Sequence, residues 1–210
     1  MLIFANTNNA TRLTRLAVVQ HSTTLSLKDK IFEKYDEFSL LENQTEKDIL
    51  RSEIKTMLAE YSEMDSNCYH LLGLVDYESD DWKKNIKTSI GNFKKAIELD
   101  KENFLAQLYL AHCYHDLNRL ELALENYNKV DRKKLKEFRI WRYTKLIEQI
   151  GYCQYKLGNK KIGEQHFEEV LKWYKKLPEI DRVVPSELIE CLPKNHWIVT
   201  EIKKIETYLE

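Results

Sequence analysis

The sequence predicts an all-α chain of antiparallel helix hairpins closed by a terminal helix. Three observations predict it. Only five glycines and three prolines occur in 210 residues, too few for a β-rich or loop-rich protein. Apolar residues recur at helical spacing along most of the chain. One skeleton of small and aromatic residues also appears three times in register.

Composition narrows the function classes. An apolar fraction of 43% suits a packed core and argues against bulk disorder. A formal net charge of −1 gives no global attraction for nucleic acid or membrane. The four cysteines, Cys68, Cys113, Cys153 and Cys191, form no C-x-x-C pair. That spacing points to a reduced, cytoplasmic setting rather than a zinc site or a disulfide framework. No apolar run of about 18 residues is present, so no membrane helix is expected. Residues 1–23 read as an N-terminal arm. They lack acidic residues, are rich in Ser and Thr and carry Arg12 and Arg15, so organelle targeting stays open as the alternative to an arm folded on the first hairpin.

Residues 24–65 form a first, divergent hairpin. SLKDKIFEKYDEFSLLEN places Leu27, Ile31, Tyr35 and Phe38 along one helical face. TEKDILRSEIKTMLAEYSEM does the same with Ile54, Met57, Leu58 and Tyr61, and Thr45 with Asp48 has the form of a capping box.

Residues 66–176 carry the repeat. In FLAQLYLAHCYHDLNRLELALENYNKV, Leu110, Ala111 and Tyr114 share one face and Ala123, Tyr127 and Val130 the next. Asn118 falls between them, at the expected left-handed break. Ile150, Gly151, Gly158, Gly163, Phe167 and Val170 repeat the skeleton. The span from Ala111 to Val130 is 19 residues, as is that from Gly151 to Val170. Upstream, Tyr69, Leu72, Gly73, Ser89, Phe93 and Ala96 give the same order, but Gly73 to Ala96 is 23 residues. The extra four are expected to lengthen the ESDDWKKN turn.

This pattern resembles the tetratricopeptide repeat (TPR), a helix–turn–helix unit of about 34 residues. The resemblance implies a right-handed superhelical solenoid with a concave groove lined by the first helix of each unit. Small residues at Gly73, Ala111, Gly151, Ser89, Ala123 and Gly163 would let paired helices approach, and Phe93, Tyr127 and Phe167 would fill the space between neighbouring units. The chain departs from the family at Asp76 and Gln154, where an aromatic residue is usual. Lys101, Leu135 and Lys175 replace the closing proline. Leu135 running into KEFRIWRYTKLIEQ predicts that the third unit's first helix starts early and runs long.

Residues 177–210 are read as a connection and capping helices. Pro178 and Pro185 bracket the connection, and a short helix from Ser186 ends near Pro193. Trp197, Ile198, Ile202, Ile205 and Leu209 then form the apolar stripe of a terminal helix.

The HCYHD run, residues 112–116, is the densest candidate for chemistry. His112 and His115 lie three residues apart on one helix, a spacing at which neutral imidazoles can share a metal. In the repeat register the same two histidines are groove lining, and Cys113 and Cys153 occupy buried small-residue positions. No phosphate loop, G-x-S-x-G or H-E-x-x-H is present. The expectation is a non-catalytic protein–protein interaction module without cofactors. It would act as adaptor or assembly factor and bind a peptide or protein surface. The groove set implied by the register is Asn67, His70, Leu74 and Tyr77, then Leu105, Leu108, His112 and His115, then Lys145, Glu148, Tyr152 and Tyr155.

A second surface is basic. Between Lys129 and Lys145 there are eight basic and two acidic residues, with Phe138, Trp141 and Tyr143 interleaved. Arg132, Lys136, Arg139 and Arg142 are expected along one side of a helix, suited more to an acidic protein than to nucleic acid. Some relatives grip chaperone C-terminal tails with lysines, asparagines and an arginine. Here those places hold His70, Leu74, Leu105, Tyr109 and Gln149, with only Lys145 basic, so tail binding is not expected. Two alternatives remain: a small inhibitor or immunity protein neutralising a toxin, and a metal-dependent protein using His112 and His115.

Overall fold

A computed structural model describes residues 25–79 and 81–206. The N-terminal arm and Leu209 lie outside the described residues. Among the described residues all regular structure is helical, and no helix is long and apolar enough to cross a membrane. The chain divides into two compact units, Met1–Asp100 and Lys101–Glu210.

The first unit has two hairpins. α1 (Leu27–Leu40) pairs with α2 (Gln44–Glu60), and α3 (Ser66–Tyr77) with α4 (Trp82–Leu99). α1 opens with a capping box the sequence pattern did not single out. Ser26 accepts from the Asp29 N–H, and the Asp29 side chain takes the Ser26 N–H in return. The cap of α2 is Asn43, which accepts from the Glu46 N–H, and not Thr45. Of the expected faces, Ile31, Phe38, Ile54 and Leu58 are fully buried, and with Cys68, Leu71 and Val75 they form one core. Leu27 stays exposed.

The α3/α4 hairpin shows why glycine is needed at its crossing. A Cβ on Gly73 would lie 2.4 Å from the buried Phe93 ring. The aromatic side chain therefore fills space within its own hairpin, where the pattern had set it between units. The four extra residues of this repeat also fall elsewhere than expected. Ser89 is the eighth residue of α4, so the insertion adds a helical turn rather than lengthening the loop.

The second unit begins with α5 (Phe104–Asp116) and α6 (Leu120–Tyr127). A short α7 (Arg132–Phe138) precedes α8 (Ile140–Lys156) and α9 (Lys160–Lys176). α5/α6 and α8/α9 close alike. Asn118 adopts φ 55° and Gly158 φ 92°. In each turn two carbonyls of the finished helix are satisfied: Arg119 N–H donates to Tyr114 and Asn118 N–H to His115, as Asn159 does to Gln154 and Gly158 to Tyr155. The expected long helix through Leu135 breaks at Arg139, whose extended backbone (φ −157°) separates α7 from α8.

After α9, Arg182 donates to the carbonyls of Tyr174 and Leu177 and so closes the helix end that Pro178 terminates. α10 (Ser186–Cys191) packs on α8, and α11 (Trp197–Ile205) on α9. Ile198 and Ile202 are buried in this core with Phe167, Leu171, Leu188 and Leu192. Trp197 departs from the expected stripe and is 54% exposed.

Candidate functional site

The densest polar constellation lies where α10 crosses α8 in the second unit. Helical spacing puts Lys145 and Glu148 on one face, one turn apart. Lys145 Nζ sits 2.8 Å from Glu148 Oε2 and bonds Glu187 of α10 as well. Exposures of 3%, 2% and 9% place all three side chains away from water. Glu148 also accepts from the Leu188 N–H at 3.1 Å. α10 has proline at its N-cap and no side-chain cap of its own, so Glu148 supplies one from across the interface.

Three buried groups with two acids and one base cannot all be charged cheaply. Burial pushes the Glu148 carboxyl above the usual range, and its hydrogen bond with Glu187 adds to that rise. Burial also opposes ionisation of Glu187, but the Lys145 ammonium and the bond from Glu148 outweigh it and hold Glu187 below the usual range. Burial disfavours charge on Lys145 too, and the two carboxyls overcome it. These shifts favour one ammonium, one carboxylate and one neutral acid.

Beside it, the HCYHD run is resolved into packing. Burial lowers His112 to about 3, so its ring is neutral, and Nδ1 pairs with the Tyr127 hydroxyl at 2.9 Å. Its ring stands edge-on to Tyr109 and Tyr127. His115 leans on Tyr152 with centroids 5.1 Å apart, and its Nε2 is buried without a hydrogen bond. Burial raises the Cys113 thiol and pushes Cys153 up to about 12, which opposes thiolate formation. Among the described residues no three His, Cys, Asp or Glu side chains converge as metal ligands.

The groove residues predicted from the repeat register fare unequally. Asn67 is exposed, while Tyr77, Leu105, His115, Tyr152 and Tyr155 are half-buried. His70, Leu74, Leu108 and His112 are buried, and His70 packs edge-on against Phe93 of its own hairpin. Lys145 and Glu148 are not open to a partner, because α10 covers them. Glu187 completes their site and was missed, since only its acidic character in a short helix's first turn was legible and its partner lies 42 residues away.

The basic set does not share one helix side. Arg132 and Lys136 lie on α7, Arg139 at the break and Arg142 on α8. Lys136 Nζ lies 4.4 Å from the Trp173 centroid, Arg139 is over Phe138, and Arg142 is over Trp141 and donates to the Tyr109 hydroxyl. Separately, a depression of about 500 Å³ between α1 and α2 is lined by Leu40, Leu41, Ile49 and Leu50 and touches none of the predicted residues.

No family model and no curated protein sequence matches the chain.

Proposed function

We propose that the chain is a non-catalytic protein-interaction module of tetratricopeptide type, acting in the cytoplasm as an adaptor or assembly factor. It would hold a peptide or helical segment of a partner against the first helices of its hairpins. Two features of the hairpins support the repeat reading: glycine-permitted crossings at Gly73 and Gly151, and matching left-handed turns at Asn118 and Gly158. In that family such hairpins stack into a right-handed superhelix with a concave face.

The observation that carries the binding role is α10 on α8. A first helix of a hairpin already receives a six-residue helical segment, caps its N-terminus through Glu148 and pairs with its acid through Lys145. Half-buried tyrosines beside it, Tyr152 and Tyr155, offer contact area with a polar tip at low entropic cost.

The test is capture from native lysate by the intact chain, by Tyr77→Ala, by Tyr152→Ala and by the double variant, with helicity matched by circular dichroism. A partner retained by the intact chain and lost by the tyrosine variants is expected. Equal retention by all four overturns the assignment to these faces.

A further inference from the structure

The basic stretch around α7 holds cations paired with acids and one, Lys136, set on aromatic rings. Lys129 pairs with Glu125, Lys134 with Glu102, and Lys145 lies in the buried triad. Lys136 instead lies on rings, 4.4 Å from the Trp173 centroid and 5.7 Å from that of Tyr143. From α9, Lys176 reaches the same indole at 6.0 Å. Two ammoniums thus converge on one side chain, no farther apart than about 10 Å, the Debye length at 0.1 M salt. A ring quadrupole attracts a cation but leaves its charge uncompensated.

Lys133 and Lys172 are exposed on the same two helices. Arg132 hydrogen-bonds a neutral oxygen, Asn128 Oδ1, and stands near enough to Tyr143 and His166 to bias both titrations. The nearby acid Glu169 accepts from the Tyr143 hydroxyl at 3.2 Å. In a chain of net charge −1, this is a local excess of positive charge mounted on an aromatic pair, Tyr143 and Trp173, whose rings meet edge-on at 87°.

The chemistry of a ligand follows from what the rings are doing. Single-stranded nucleic acid would need open aromatic faces for its bases. Trp173 is already approached by Lys136 and Lys176, meets Tyr143 edge-on and packs against the core of the second unit. Carboxylates need no such face and would pair with both ammoniums. We propose that the surface around Lys136, Trp173 and Lys176 docks an acidic segment of a partner protein, with Arg132 and Lys133 at its edge. The proposal rests on the interaction-module reading for the class of its partner, and it uses residues other than Tyr77 and Tyr152.

Fluorescence anisotropy with fluorescein-labelled hexaglutamate tests it on the full chain. Lys136→Glu/Lys176→Glu is expected to weaken binding by at least about tenfold, as loss of two charge contacts should. The control Lys83→Glu/Lys84→Glu, an equal charge change on exposed lysines of α4, is expected to change it less than about twofold. Lys136→Gln/Lys176→Gln should fall between, which keeps the test valid if the charge reversal disturbs folding. Equal losses in the two charge-reversed proteins, or no binding by the intact chain, overturn the proposal. So does tighter binding of oligothymidylate than of hexaglutamate. The Tyr77→Ala/Tyr152→Ala protein should bind hexaglutamate like the intact chain, so failure of the tyrosine-face reading and failure of this one give different results.

Discussion

In each unit a helix from outside the glycine-crossed hairpin grips that hairpin's first helix through charge, and the two grips are built oppositely. In the first unit α2 lies on α3. Arg51 donates to the Val75 carbonyl, and Lys55 reaches the buried Asp76 at 2.8 Å while keeping 44% of its own side chain in water. In the second unit α10 lies on α8 through the buried triad of Lys145, Glu148 and Glu187, with an exposed outer pair, Lys156 and Glu190, 2.8 Å apart. The first grip places cations at a helix C-terminus, where the helix dipole welcomes them, and solvent still screens Lys55, though Arg51 is only 12% exposed. The second adds to its exposed pair a triad whose charges must be matched internally, away from water. The crossing residues that fix hairpin geometry recur between the units, whereas the residues that face a covering helix differ between them.

Removing Lys145 should have the largest effect. Lys145→Met leaves Glu148 and Glu187 facing each other without a cation, and is expected to cost about 3 kcal/mol, the scale of breaking a buried pair. Denaturant melts measure it. Lys55→Met strips the buried Asp76 of its cation but leaves it beside a half-exposed site, and should cost less, about 2 kcal/mol. Similar costs would remove the distinction between the grips.

The same contrast predicts a pH dependence. Glu148 titrates above its ordinary value of 4.5, so the folded chain holds a proton that the unfolded chain releases. Its contribution to stability is complete below 4.5 and is lost as pH rises through the raised folded value. Glu187, held below 4.5, contributes above that value and loses its contribution as pH falls. Other titratable groups near the triad include His115 on α5, Tyr152 on α8 and Cys191 on α10. Glu148→Gln should flatten the decline of melting temperature on the alkaline side and leave the acid side in place. An unchanged alkaline limb would assign it to another group.

The crossings come next in size. A Cβ on Gly163 would meet the Gly151 carbonyl oxygen at 2.8 Å, and backbone cannot swing aside as a side-chain tip can. Gly163→Ala is expected to destabilise by about 2 kcal/mol, while Gly91→Ala, with open space at its Cβ, should be neutral or slightly stabilising. Equal melts for the two would show that the helices tolerate separation.

The parts of this fold legible in the sequence are those set by local geometry. Small residues at Gly73, Ala111 and Gly151 announce close approach whatever lies opposite, and Asn118 and Gly158 announce a left-handed turn, because few other residues adopt it. The capping order after Leu177 was readable from Pro178 and Pro185 for the same reason. The covering of Lys145 was not, because helical periodicity shows which residues share a face and not which element arrives there. Likewise the break at Arg139 has no glycine or proline to mark it. Arg142 on Tyr109 and Lys136 on Trp173 are contacts between helices, and composition gives only the ingredients.

The smallest predicted effect separates the two matched turns. Both occupy the left-handed region, but Asn118 carries a side chain there at φ 55° and Gly158 does not at φ 92°. Asn118→Gly relieves a mild steric cost while loosening the unfolded chain, two terms that oppose each other, so a shift within about 0.5 kcal/mol is expected. Gly158→Asn places a Cβ at a more extreme φ and should destabilise by about 1 kcal/mol. Thermal melts of the pair decide it. If the two exchanges cost the same, the turns are interchangeable parts of one repeated motif. If only Gly158 resists replacement, its hairpin is the more constrained, as expected of the one whose first helix must also hold α10 in register.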